Sequence, residues 1–305
     1  MAGYCFKAEM KQFTKPSLTL DEQIVLLEKR GLIISDRKEA LFYLSHLNYY
    51  RLRAYWMLFE EDSVNHHFKQ NTQFEDIVKL YIFDRELRLL MLDALERIEV
   101  SVRSQWAYQL SVYGGAHAHI DPIYAKRRDL WQSDIERLKI EVDRAKDREA
   151  FIKHFSETYE EELPPIWAIC EIMSLGSLSR WFQNLKPNPV RKKIAKTFKV
   201  HESVLESWLH HLTVIRNISA HHGRLWNRRF TVIPAKPESY PKILVNEFNS
   251  SRKIYNSLLL LIHLMDCVSP QHHWKAKLKD LVKQSPNYLD RMGFPQNWES
   301  RDIWA

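Results

Sequence analysis

From residue 74 to the pair Gly114-Gly115 the chain runs without a proline or an internal glycine, and its apolar residues return every three or four positions. Ile77, Leu80, Tyr81, Leu87, Leu90, Met91, Ala94, Leu95, Ile98 and Val102 keep the period of one face of an α-helix. The stretch reads as a helix of about 40 residues rising roughly 1.5 Å per residue. Glu99 and Arg103 stand four apart on it, the spacing at which opposite charges pair. Asp76, Asp84 and Glu86 read as helix surface. Only 7 of the 305 residues are glycine, which suits few tight turns and therefore helices rather than hairpins.

The rest of the chain follows the same pattern. Helices are predicted over 20–30, capped by Thr19 or Asp21 and ended by Gly31, and over 36–47, with Ala40, Leu41, Leu44 and Leu47 on one face. A break at Asn48 precedes a third over 49–59, and 61–71 reads as a polar loop. A charge-rich helical stretch, 121–158, breaks near Asp147, and Pro164-Pro165 opens a helix over 166–185. A short basic helix over 190–198 precedes one over 201–222, and two more cover 248–268 and 271–284. Residues 231–234 read as extended. The fold class is all-α: a helical body over 71–285, an N-terminal helical extension over 1–70 and an irregular, aromatic tail over 286–305.

Cys5, Cys170 and Cys267 are scattered and odd in number, which leaves no disulfide framework or paired metal motif and suits a reducing cytoplasm. Residues 1–10 lack the apolar core of a signal peptide, and the longest apolar run, 258–264, is far too short to cross a bilayer. A cytoplasmic protein with no membrane partner is expected. The formal charge of +7 is compatible with a nucleic-acid partner. Ten tryptophans are present, several beside Arg or Tyr, as in Tyr49-Tyr50-Arg51-Leu52-Arg53-Ala54-Tyr55-Trp56. Two readings fit: rings that stack unpaired bases among cations, or rings that pack between helices.

The segment Arg216-Asn217-Ile218-Ser219-Ala220-His221-His222-Gly223 carries the chemistry. Arginine is always charged and forks onto phosphate oxygens; histidine moves protons near neutral pH. Together they suit phosphodiester cleavage without a metal, with an imidazole on the RNA 2′-hydroxyl and Arg216 neutralising the phosphate. Histidines just before a glycine also close helices, so the spacing alone leaves both readings open. A basic run follows, Arg224-Leu225-Trp226-Asn227-Arg228-Arg229, and Arg191, Lys192 and Lys193 lie on the short basic helix. Glu171 is a carboxylate in an apolar stretch, placed either to orient the signature or to satisfy a local partner. His210 and His221 are eleven residues apart, about 16 Å along a helix, too far to share a zinc ion. No phosphate-binding glycine loop and no nucleophile elbow occurs.

The run RNISAHHGRLWNRR, residues 216–229, resembles the R-N-x-x-A-H-H-x-R-L-W-N-R signature of the abortive-infection AbiD/AbiF family of bacterial phage-defence proteins. Three further blocks resemble it in the same order: KPSLTLDEQIVLLEKRGLIISDRKEALFYLSHLNYYRLRAYW (15–56), YIFDRELRLLMLDALERIEVSVRSQWAY (81–108) and PPIWAICEIMSLGSLSRWF (164–182). The resemblance implies a HEPN-type helical bundle, a clan rich in metal-independent RNases marked by R-x(4–6)-H with a polar residue after the arginine. It implies catalytic roles for Arg216, Asn217 and His221, with His222 as a second candidate, and no cofactor. The charge, the basic segments and the Tyr/Arg/Trp segment suit RNA contacts at Arg224, Asn227, Arg228, Arg229, Arg191, Lys192, Lys193, Tyr49, Tyr50, Arg51 and Arg53, and the family's association with small noncoding RNAs points the same way. Expected partners are RNA, as a small noncoding RNA or a substrate, and a second copy in a homodimer. The alternative it leaves is a non-catalytic RNA-binding protein of a defence or toxin–antitoxin-like ribonucleoprotein.

Overall fold

A computed structural model describes residues 12, 14–62 and 64–305. Cys5 and the opening segment lie outside the described residues. Among them the structure is all-α: fourteen α-helices, short 3₁₀ turns, three isolated β-bridges and no strand. The chain divides into two units, one ending at Ile82 and one beginning at Phe83.

The first unit carries α1 (Leu20–Lys29), α2 (Arg37–Leu47) and α3 (Tyr49–Trp56), with successive helices in contact. Thr19 opens α1 with a capping box shared with Glu22, and Gly31 leaves it at φ +90°, a conformation that favours glycine. Asp36 caps α2 through the amides of Lys38 and Glu39. Asn48, at φ 64°, both ends α2 and caps α3. Ile24, Leu27, Ala40, Leu44, Leu52, Tyr55 and Trp56 form this unit's core.

α4 (Phe74–Gly114) is the long helix of 41 residues that the periodicity predicts. Beyond it the second unit holds α5 (Arg128–Ala145), α6 (Ala150–Thr158), α7 (Ile166–Ile172), α8 (Leu175–Asn184), α9 (Asn188–Thr197), α10 (Glu202–Ala220), α11 (Lys242–Glu247), α12 (Tyr255–Val268), α13 (Trp274–Lys283) and α14 (Leu289–Met292). α12 is buried on every side from Tyr255 to Met265, as befits a helix apolar all round. α10 packs chiefly on α8 and also on α9, and α5 packs on α7 and α8. The Trp274 indole N–H donates to the Leu90 carbonyl at 2.7 Å, tying α13 to α4. In residues 286–305, Met292, Phe294, Trp298, Ile303 and Trp304 are all buried, with the Trp304 ring over Tyr255.

Several sequence expectations need correction. Residues 121–127 are not part of a long helix: Asp121 and Pro122 set a 3₁₀ turn, and α5 starts at Arg128. The predicted helix over 166–185 is two, because the Ser174 hydroxyl accepts the Ser177 amide and restarts the chain as α8. Residues 248–254 are a turn: Asn249 accepts the Ser251 amide, and Asn256 donates back to the Asn249 carbonyl. No strand forms over 231–234. Asp84 is not helix surface but wholly buried, paired with buried Arg88. Of the tryptophans, Trp56, Trp106, Trp208, Trp226, Trp274 and Trp304 are essentially fully buried, so core packing accounts for most of the rings.

Candidate functional site: the C-terminal end of α10

α10 buries Val204, Leu205, Trp208, Leu209, His211, Leu212, Ile215 and Ser219 along one stripe. Arg216 lies beside that stripe and is half-buried, and Asn217 is exposed. The helix stops at Ala220. His221 is its last cap, its N–H bonded to the Asn217 carbonyl at 3.0 Å. The next two amides close the end: His222 N–H reaches Ser219 O at 3.1 Å, and Gly223 N–H reaches Ile218 O at 2.8 Å. This is a Schellman closure with His222 in its left-handed position, φ 57°. The glycine follows that position instead of filling it. Space around it is tight: a Cβ there would stand 3.2 Å from the Ile218 carbonyl oxygen.

Beyond the turn the chain is clamped. Leu225 and Trp226 are buried, and their amides donate to the Asp84 carboxylate at 3.0 and 2.7 Å. Further on, the Trp208 indole N–H donates to the Ala235 carbonyl at 2.9 Å. His211 donates through Nδ1 to the Val232 carbonyl at 2.8 Å, which leaves Nε2 to accept the Ser257 hydroxyl at 2.7 Å. Burial is the main cause holding the His211 pKa down at about 4, so it is a neutral structural histidine. The turn is therefore fixed on both sides while His221 and His222 stand exposed at its tip. Arg228 and Arg229 are exposed, and Arg224 and Asn227 are half-buried.

The Arg216 guanidinium touches the Asn217 side-chain oxygen at 3.5 Å. It also lines a groove of ≈ 390 Å³ with Leu92, Glu96, Glu99 and Arg103 of α4. Arg103 is the predicted structural partner of Glu99, and their 2.6 Å contact is present. The groove adds that Arg103 is a second guanidinium beside Arg216. The His221 imidazole is not among the groups lining this groove.

The other predicted site residues are dispersed. Glu171 supports Arg103, accepting from it through its carbonyl at 3.1 Å with its carboxylate 4.0 Å away. It is thus a local partner and not an orienting group of the signature. Arg191 departs most from expectation: it is buried, paired with Glu206 at 2.5 Å and set over the Phe182 ring at 5.2 Å. Its guanidinium is committed to packing, whereas Lys192 and Lys193 on α9 are exposed. In the first unit Tyr49 packs edge-on against Trp56 at 4.8 Å and accepts from Arg30 at 2.7 Å, while Tyr50 is 68% exposed. Arg53 lies 3.1 Å from the His66 ring, and Arg51 is exposed. Among the described residues no three His, Cys, Asp or Glu side chains gather closely enough to hold a metal ion. No helix among them is long and apolar enough to cross a membrane.

An all-α protein with an Arg-Asn-x-x-x-His-His helix end, followed by a loop fastened to a buried carboxylate, is the class that fold and site define. The model of the Abi-like protein family matches residues 42–227, and the chain belongs to that family. The match runs from α2 to Asn227 and so spans α4, α7, α8, α10 and the signature. No curated protein and no solved structure matches the chain. Membership points to abortive infection, a form of phage defence.

Proposed function

We propose that this Abi-like protein is a HEPN-type defence ribonuclease that cleaves RNA at the end of α10 without a metal and is regulated by a bound small noncoding RNA. The observation that carries the reading is the exposed His221 one turn beyond Arg216–Asn217, on a turn clamped to the core at both sides. His221 takes the proton of an RNA 2′-hydroxyl, whose oxygen attacks the adjacent phosphorus. The bond to the 5′-oxygen breaks, and that oxygen leaves with a proton from a general acid. Arg216 holds the phosphate as charge builds on it. The products are a 2′,3′-cyclic phosphate and a 5′-hydroxyl. His222, in the left-handed position of the turn, does not repeat the pose of its neighbour; the resemblance to HEPN proteins implies instead that acid and base come from two copies of the signature in a homodimer.

One observation weighs against cleavage and leaves RNA binding as a second reading: the groove that Arg216 lines holds Glu96 and Glu99 and not the His221 imidazole. Labelled RNA incubated with pure protein in chelator separates the two. The ribonuclease reading expects cyclic-phosphate termini from the wild type, and losses of about 100-fold or more in folded Arg216→Ala and His221→Ala. Wild-type protein that retains RNA and cuts none sinks the catalytic reading and leaves the binding one.

A further inference from the structure

The signature's basic tail is not alone. The loop 249–253 is stitched to it by four hydrogen bonds. Phe230 N–H donates to the Arg252 carbonyl at 2.9 Å, and the Arg252 guanidinium donates to the carbonyls of Phe230 and Thr231 at 2.9 and 3.0 Å. Lys253 Nζ donates to the Asn227 carbonyl at 2.8 Å. On its other side the same loop carries the end of α14. The Asn249 side-chain amide donates to the Gly293 carbonyl at 2.9 Å, and a Cβ on Gly293 would stand 3.0 Å from that of Lys253. Three segments far apart in sequence thus converge, and each brings cations: Arg224 and Arg229, Lys253, and Arg291.

We propose that Arg224, Arg229, Lys253 and Arg291 form a phosphate-binding subsite that holds a backbone phosphate of the RNA strand engaged by the signature. The proposal rests on the RNA reading given above. Lys253 is half-buried, and its amine stays anchored to the signature loop. Its pKa lies below the usual lysine range, first through burial and then through the charges of Arg224, Arg229 and Arg291. Among the described residues the charges that act on it are cationic. Asp84, the carboxylate bound to this loop, is buried beneath it and committed to the Leu225 and Trp226 amides and to Arg88. Like charges held together repel, and an oxyanion with several acceptor oxygens relieves that repulsion. Arg291 stands alone in the sequence and Lys253 has only Arg252 beside it, so neither marks a long basic run.

The test uses the full chain and compares wild type with Lys253→Gln, Arg291→Gln and the double variant. Arg291 is exposed and its replacement leaves the core alone, so its variant guards against misfolding. Binding of a short single-stranded RNA is titrated across salt, with inorganic phosphate as competitor. The subsite expects about tenfold weaker binding in the double variant and a salt slope shallower by about one for each cation removed. Folded variants with unchanged affinity and slope overturn it, as does a wild type that binds no RNA. Inorganic phosphate that displaces RNA fully at matched low concentration also overturns it, by assigning the cations to a free anion. RNA cleavage is assayed on the same samples. Cleavage with no effect of these variants removes the subsite alone. Absent cleavage with the expected weakening of binding removes the catalytic reading alone.

Discussion

His221 and His222 are chemically identical neighbours that the turn makes unequal. On a continuous helix they would differ only by about 100° of rotation. Here the helix has ended, and His222 occupies the left-handed position where glycine is the usual residue. His222→Gly therefore keeps the turn and removes the second imidazole. We expect it to fold, since glycine relieves a backbone cost of roughly 1 kcal/mol there. RNA cleavage should persist in His222→Gly and fall by about 100-fold or more in His221→Ala. The reverse pattern would move the base to His222. Arg216, Asn217 and His221 were legible in the sequence as candidates, because chemistry and family resemblance meet there. The turn was not: a glycine after two histidines marks the end of a helix, and the spacing does not tell that His222 takes the left-handed position.

At the scale of elements, α4 carries the signature's anchor. Asp84 lies four residues after Leu80 and three before Leu87, squarely on the apolar stripe that continues to Met91 and Ala94. That register was readable in the sequence and implied burial; reading the residue by its charge alone placed it on the surface. What the sequence could not supply was its partner, the amides of a loop about 140 residues away. Removing one member of a buried ion pair leaves the other charge uncompensated, at a cost of about 3–5 kcal/mol. Asp84→Ala should thus lower the urea midpoint strongly, and the Leu225 and Trp226 amides should lose hydrogen-exchange protection first. Uniform loss of protection across the second unit, with those two amides no faster than α12, would show that Asp84 does not hold the loop. The helix boundaries missed in the sequence share one cause. Ser174, Asn249 and Asp121 offer side-chain oxygens to nearby amides, and local capping outweighs an apolar period that continues past them.

For the whole molecule, the second unit folds around imidazoles that must stay neutral. His119 is buried, neither ring nitrogen has a hydrogen-bond partner, and burial first and His117 second push its pKa down to about 3. His211 follows at about 4, and burial likewise lowers His263, whose Nε2–H donates to the Phe198 carbonyl at 2.9 Å. The unfolded chain protonates these rings below their ordinary value near 6.5, while the folded chain does not until far lower pH. Each ring therefore withdraws stability progressively as pH falls from 6.5 toward its folded pKa, on the order of a few kcal/mol at the limit for His119 and for His211. The depressed carboxylates Glu22, Asp62 and Asp129 titrate below this window. The urea midpoint should be highest above about pH 7 and fall steadily toward about pH 5. His119→Phe, which fills the same apolar surroundings without a titrating group, should flatten that slope while keeping or raising the midpoint at neutral pH. A wild-type midpoint that is level between those two pH values, or a slope that His119→Phe leaves intact, would mean that the buried ring gains its proton as easily folded as unfolded.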